Sequence, residues 1–349
     1  MKIKALKAFT VRDSETGDLS SIAYGAIADV SDTLGQSLIE DGLAEKVTEG
    51  AGGNIAALVD GSITEITADT LQGVTSIRPL AFCYCVNLKS VTIPGSVLEI
   101  GQWAFMQCGV TSLTISDGVT SIGEQAFAGC TSLTSVTIPG SVTSMDEEAF
   151  CGCTSLTTVT ILDGVTSIGE SAFGSCTSLT SIEIPNSVTS IGEDAFYECI
   201  SLTSIEIPSS VTNIGNFVFR GCTSLASIEI PNSVTSIGKD AFYECTSLTS
   251  IEIPNSVTSI GESAFISCTS LTSIKIPNSV TNIGNSVFRG CTSLASVTVL
   301  ATTPPTLGTD AFTNTHSSLK IYVPAESVNA YKAATNWSNY ESNIQAIPA

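Results

Sequence analysis

Positive charge is scarce in this chain. Only 13 lysines and arginines stand against 33 acids, a net charge of −20 over 349 residues. Nucleic-acid affinity comes largely from cations that neutralise phosphates, so a nucleic-acid partner is not expected. An anionic membrane surface would repel the chain for the same reason. Histidine is nearly absent as well. His316 stands alone in a Thr- and Ser-rich run, and a Ser-His-Asp arrangement needs an imidazole placed by a rigid scaffold. Neither G-x-x-x-x-G-K-[ST] nor H-E-x-x-H occurs. No catalytic residue, cofactor or metal is therefore assigned. No apolar run approaches the roughly 18 residues of a membrane-spanning helix, so no membrane insertion is expected. The opening MKIKALKAFTVRDSETGDLS lacks the apolar core of a secretory signal.

What is present is repetition. Phe occurs at 82, 105, 127, 150, 173, 196, 219, 242, 265, 288 and 312. The spacing is 23 residues, with one interval of 22 and a closing one of 24. Cys follows three residues after each of the first ten. A period in this range is the signature of a solenoid, in which each unit buries its apolar face only against its neighbours. The expected fold is therefore a β-rich solenoid with 23-residue repeats, preceded by a small β-rich N-terminal module.

One unit, TSLTSIEIPNSVTSIGEDAFYEC at 177–199, serves for all. Ile182 and Ile184 alternate with Ser181 and Glu183, the period of a strand. Pro185 has no N–H for a ladder and ends the strand, and Asn186-Ser187 turns the chain. Gly192 is expected to relax the backbone before one helical or 3₁₀ turn over Glu193–Phe196. The pattern L-x-x-I-x-I-P…V-x-x-I-G-x-x-A-F-x-x-C resembles the BspA-like, or Treponema-type, leucine-rich repeat over residues 62–349. That resemblance implies a non-catalytic recognition or adhesion protein. Residues 62–318 are then the repeats, and 319–349 the C-terminal cap, with Val328, Tyr331 and Trp337 covering the last rung.

The residue between the two inward aliphatics of each strand should point outward. In order these are Thr92, Thr114, Thr137, Thr160, Glu183, Glu206, Glu229, Glu252, Lys275, Thr298 and Tyr322. They are the candidate ligand face, with a file of Ser beside them from Ser90 to Ser296. Like charges opposed on neighbouring strands destabilise a sheet. Four consecutive glutamates therefore have three readings: recent copying of repeats, contact with a basic ligand, or a divalent cation. The near identity of 211–227 and 280–296 favours copying. The ligand class is protein or glycan. Adjacent glutamates on an open sheet lack the cleft and desolvation that separate the pKa values of a catalytic pair. The repeat cysteines lack zinc spacing and read as small buried hydrophobes in a reducing environment.

Residues 1–50 do not repeat. They alternate at 1–12, continue with a strand or turn over Ile22–Val30, carry a helical pattern in LGQSLIEDGLAEKV, and end with a strand at Ala44–Val47. Residues 51–61 read as a linker, and residues up to 80 hold a degenerate first repeat. MKIKALKAFT and AIADVSD…LIEDGLAEKV are similar to N-terminal segments of phage head-fibre and capsid-decoration proteins. That resemblance implies a capsid partner for residues 1–50 and a place on the virion surface. The alternative is a bacterial protein-interaction module at the cell surface or in the cytoplasm.

Overall fold

The computed structural model describes residues 64–348 and the backbone of five short strands nearer the N-terminus. Lys2–Ala5 pairs antiparallel with both Ile27–Asp29 and Ala44–Lys46. Phe9–Arg12 pairs antiparallel with Leu19–Ile22 in a second sheet. The alternating run at 1–12 thus supplies two strands to two sheets rather than one. The expected helix within 34–43 and the linker 51–61 lie outside the described residues.

From residue 64 onward the chain is a parallel β-solenoid of about 12 turns, its repeats about 23 residues apart. Each turn has three arms. The first is a strand of up to four residues, such as Ser90–Ile93 and Ser112–Ile115, in register with its neighbour. The second is a two-residue strand, such as Ser121–Ile122 and Ser144–Met145. Between them Pro185, Asn186, Ser187 and Val188 form a turn closed by Val188 N–H donating to the Pro185 carbonyl (3.0 Å). Corner hydroxyls brace successive turns. Thr189 donates to the Thr166 carbonyl (3.3 Å) and Thr235 to that of Thr212 (3.2 Å).

The third arm corrects the expectation of a helical turn. Asp194 and Glu198 adopt left-handed conformations, φ 54° and 53°, and the same four-residue spacing recurs from Leu80 and Tyr84 to Asp310 and Asn314. A left-handed residue every fourth position cannot propagate a right-handed helix. The arm instead bonds to its neighbour at alternate residues. Ser171, Phe173 and Ser175 donate to the carbonyls of Glu193, Ala195 and Tyr197 at 2.8, 3.0 and 2.6 Å. Those bonds offset a left-handed cost of roughly 1 kcal/mol per non-glycine residue.

The core is built of columns. The phenylalanine rings from Phe82 to Phe312 stack with centroids 4.9–6.0 Å apart and planes within 20° of parallel. The repeat cysteine does more than fill space. Among the described residues nine thiols donate to the phenylalanine carbonyl of the preceding turn, as Cys199 does to Phe173 at 3.2 Å. In the last turn Thr315 occupies the position and its hydroxyl donates to Phe312 (2.9 Å).

Gly192 is needed for room and not for backbone freedom. Its φ is ordinary, but a Cβ there would lie 2.5 Å from Glu170 N. Past Phe312, Tyr331 and Trp337 close the stack, both fully buried. Tyr331 donates to the Ala301 carbonyl (2.8 Å) and Trp337 Nε1 to that of Pro305 (2.8 Å). Val328 is only half-buried against the same core.

Two outcomes follow from this packing. A Cβ on Gly261 would meet Gly238 C at 2.5 Å, whereas one on Gly215 meets nothing nearer than Val218 Cγ2 at 3.4 Å. Gly261→Ala should cost about 1–3 kcal/mol by overpacking, and Gly215→Ala much less, in urea denaturation; equal losses would refute the close-approach reading. The second concerns alkaline pH. Burial pushes the thiols of Cys153, Cys176, Cys199 and Cys222 well above their ordinary value. The folded state then holds those protons more tightly than the unfolded chain. Stability should be flat at neutral pH and fall as pH rises past about 8.5, by about 1.4 kcal/mol per unit for each such thiol. Cys199→Ser should flatten that fall slightly when melting is followed from pH 7 to 10.

Candidate ligand-binding face

The long-strand arms place the outward file side by side. The ladder pairs Thr92 with Thr114, Thr137 with Thr160, and Thr160 with Glu183. Farther along, Glu206 pairs with Glu229, Glu252 with Lys275, Lys275 with Thr298, and Thr298 with Tyr322. Ile344–Ala346 adds one more strand, and Gln345 extends the file beyond Tyr322. That extension was not legible in the sequence, because the last strand has lost the repeat signature.

The glutamates are exposed. Only one of the three Glu–Glu steps is joined by a ladder. Strand pairing lapses between Glu183 and Glu206 and between Glu229 and Glu252. Like charges opposed across strands would produce this, although a lapse between Thr114 and Thr137 needs another cause. Lys275 stands beside Glu252 in register but closes no ion pair among the described residues. A hollow of about 750 Å³ opens here, lined by Glu229, Asn232, Glu252, Asn255, Lys275 and Leu300 among others. The expected file and this hollow thus coincide over the last two glutamates and the lysine.

Sequence reasoning missed a second acidic file. On the turn arm, Glu124, Glu147, Glu170 and Glu193 follow one another at the position two residues after the short strand's isoleucine or methionine. Burial first, then the neighbouring glutamates, push the carboxyls of Glu148 and Glu170 above the usual range. Asp146 is raised by burial and by Glu124 and Glu99. The signal lies in the I-G-E repeated at 122–124, 168–170 and 191–193. Among the described residues no group of His, Cys, Asp and Glu is arranged to hold a metal ion.

A carboxyl with a raised folded-state pKa binds its proton more tightly folded than unfolded. Its contribution is unfavourable at neutral pH and is relieved as pH falls through the raised value. Glu148→Gln should therefore raise the melting temperature at pH 7 and shrink the gap between pH 7 and pH 5. An unchanged gap would show that Glu148 feels no strain from the acidic file beside it.

Residues 59–177, 145–245 and 217–341 match the family described as BspA type leucine rich repeat region. The solved leucine-rich repeat protein from Bacteroides ovatus is 27% identical over 98% of each chain, with a TM-score of 0.60. The T. pallidum leucine rich repeat protein is 35% identical over 46% of this chain and 77% of its own, TM-score 0.43. A leucine rich cell surface protein from Faecalibacterium prausnitzii is 33% identical over 78% of this chain and 87% of its own, TM-score 0.41. No curated protein matches the chain.

Proposed function

We propose, from the premise that the chain belongs to the BspA-type leucine-rich-repeat family, that it is a non-catalytic recognition protein whose long-strand face binds a protein ligand. The carrying observation is the coincidence of the outward file with the hollow at Glu229, Glu252 and Lys275. An extended basic segment suits this place. It would lie along exposed carboxylates that have no ion-pair partner among the described residues. An open sheet presents a long surface and no water-excluding cleft, which favours binding over turnover.

The resemblance to this family also implies surface display. The expectation of a virion-attached head fibre rests on residues 1–50 alone. The B. ovatus protein, by contrast, aligns over 98% of the chain, which favours a bacterial recognition protein over a capsid decoration.

The test uses the full chain, immobilised and offered whole bacterial cells, host-cell surface proteins and purified capsids. Binding to a protein ligand should fall at least about tenfold, about 1.4 kcal/mol, in the double variant Glu229→Lys, Glu252→Lys. The change Asp163→Lys, outside the hollow, should leave it intact. Binding that survives the charge reversal would remove the face from consideration. Capsid binding without cell binding would restore the virion reading.

A further inference from the structure

A different surface carries its own signal. Repeats 211–227 and 280–296 are identical except at one position, where Phe217 replaces Ser286. Phe217 is left-handed, φ 59°, as is Ser286, φ 53°, so the backbone tolerates both residues in the same role. What changes is the surface of the turn arm. The Arg220 guanidinium lies 5.8 Å from the Phe217 ring, 5.8 Å from Tyr197 on the preceding turn and 5.1 Å from Tyr243 on the next. Lys239 Nζ lies 5.8 Å from Phe217. Three rings hold the arginine in place, yet its guanidinium has no hydrogen bond or ion pair among the described residues. Its planar donors are therefore pre-oriented and unused.

Beside Tyr243 the same arm opens into a hollow of about 330 Å³. It is lined by Tyr243, Ile266, Ser267, Arg289, Gly290 and Asn314. That size falls at the small end of the roughly 300–1,000 Å³ typical of small-molecule sites. Its chemistry is mixed. Tyr243 and Ile266 give apolar surface. Arg289, Asn314 and Ser267 give donors and acceptors. Acceptors continue along the arm: Glu198 takes the Tyr197 hydroxyl at 2.8 Å and keeps further lone pairs.

The surroundings select against a charged ligand. Asp194 and Asp240 feel Arg220, and Glu198 and Glu244 flank the tyrosines. Four carboxylates along an arm that carries Arg220, Lys239 and Arg289, on a chain of net charge −20, leave no net positive charge to attract an anion. A ligand with many hydroxyls and a flat C–H face uses the donors, the acceptors and the rings together.

We propose that the turn-arm surface from Tyr197 to Asn314 is a second binding site, specific for uncharged oligosaccharide, with Tyr243 as the stacking platform and Arg220 and Arg289 as hydrogen-bond donors. It is independent of the long-strand face, so either can fail alone. The test titrates the full chain with neutral oligosaccharides of glucose, mannose, galactose and N-acetylglucosamine, and with polygalacturonate as the anionic comparison. At least one neutral sugar should bind, at least tenfold more weakly to Tyr243→Ala and to Arg289→Ala, and unchanged to Glu229→Gln. Arg289 is exposed, so its loss tests the site even where the tyrosine variant folds poorly. The proposal is overturned if no neutral sugar binds, if only polygalacturonate binds, or if Arg289→Ala binds as the parent does.

Discussion

Close approach between successive turns governs everything else in this molecule. Phenylalanine centroids lie about one strand spacing apart, and at that distance buried polar groups find partners on their own turn or the adjoining one. The Phe173 carbonyl shows both. It accepts from Cys176 N–H of its own turn at 3.2 Å and from the Cys199 thiol of the next at 3.2 Å. Alanine would fill part of the same space but leave the carbonyl one donor short. Serine would keep a donor with less apolar surface. Glycine at the end of the short strand is the other half of the constraint, because no side chain fits between backbones so close.

The same constraint shapes the surface. A stack in fixed register turns any residue repeated every 23 positions into a continuous file. Outward files then acquire properties that a single residue lacks. Hydroxyls placed in line with the preceding turn's carbonyls, as in Thr189 and Thr235, are consumed by the scaffold. Carboxylates placed in line find fewer such outlets, Glu193 taking Asn216 Nδ2 at 2.7 Å, and the ladder lapses at two of the three Glu–Glu steps while burial and neighbouring acids raise the Glu170 carboxyl. The scaffold therefore converts repetition into stability on some files and into unspent potential on others. Ligand chemistry is confined to the second kind.

Much of this was legible in the sequence, for physical reasons. A strict period fixes register, so the outward file from Thr92 to Tyr322 was legible by counting alone. Pro185 marked a strand end because it lacks an N–H. The turn arm was not legible. Glycine marks its second left-handed position in some turns, as at Gly221 and Gly290, but the first is filled by Leu, Trp, Gln, Glu, Ser, Asp or Phe, with no common signal. Gly192 was visible, but its reason was not, since steric closeness belongs to the neighbouring turn. The hollow beside Tyr243 was invisible because it joins Tyr243 to Asn314, residues 71 positions apart in the sequence.

Near-identical repeats also allow a controlled comparison within one chain. Residues 282–283 form a regular short strand, and a Cβ on Gly284 would lie 2.4 Å from the turn before it. The counterpart 213–214 forms only an isolated bridge through Ile214, and Gly215 has room to spare. The two segments differ at Phe217 and in their neighbouring turns. The short-strand sheet is also interrupted between Ile191 and Ser236. One bulky ring on the outside of the arm thus coincides with a loosened backbone two residues away and with an arginine held by three rings. Copying explains why the two segments are alike. It does not explain a half-buried phenylalanine at a position where the two adjoining turns carry Asp194 and Asp240. What the Phe217 ring gains are the contacts with Arg220 and Lys239, so its advantage lies on the surface it helps to create.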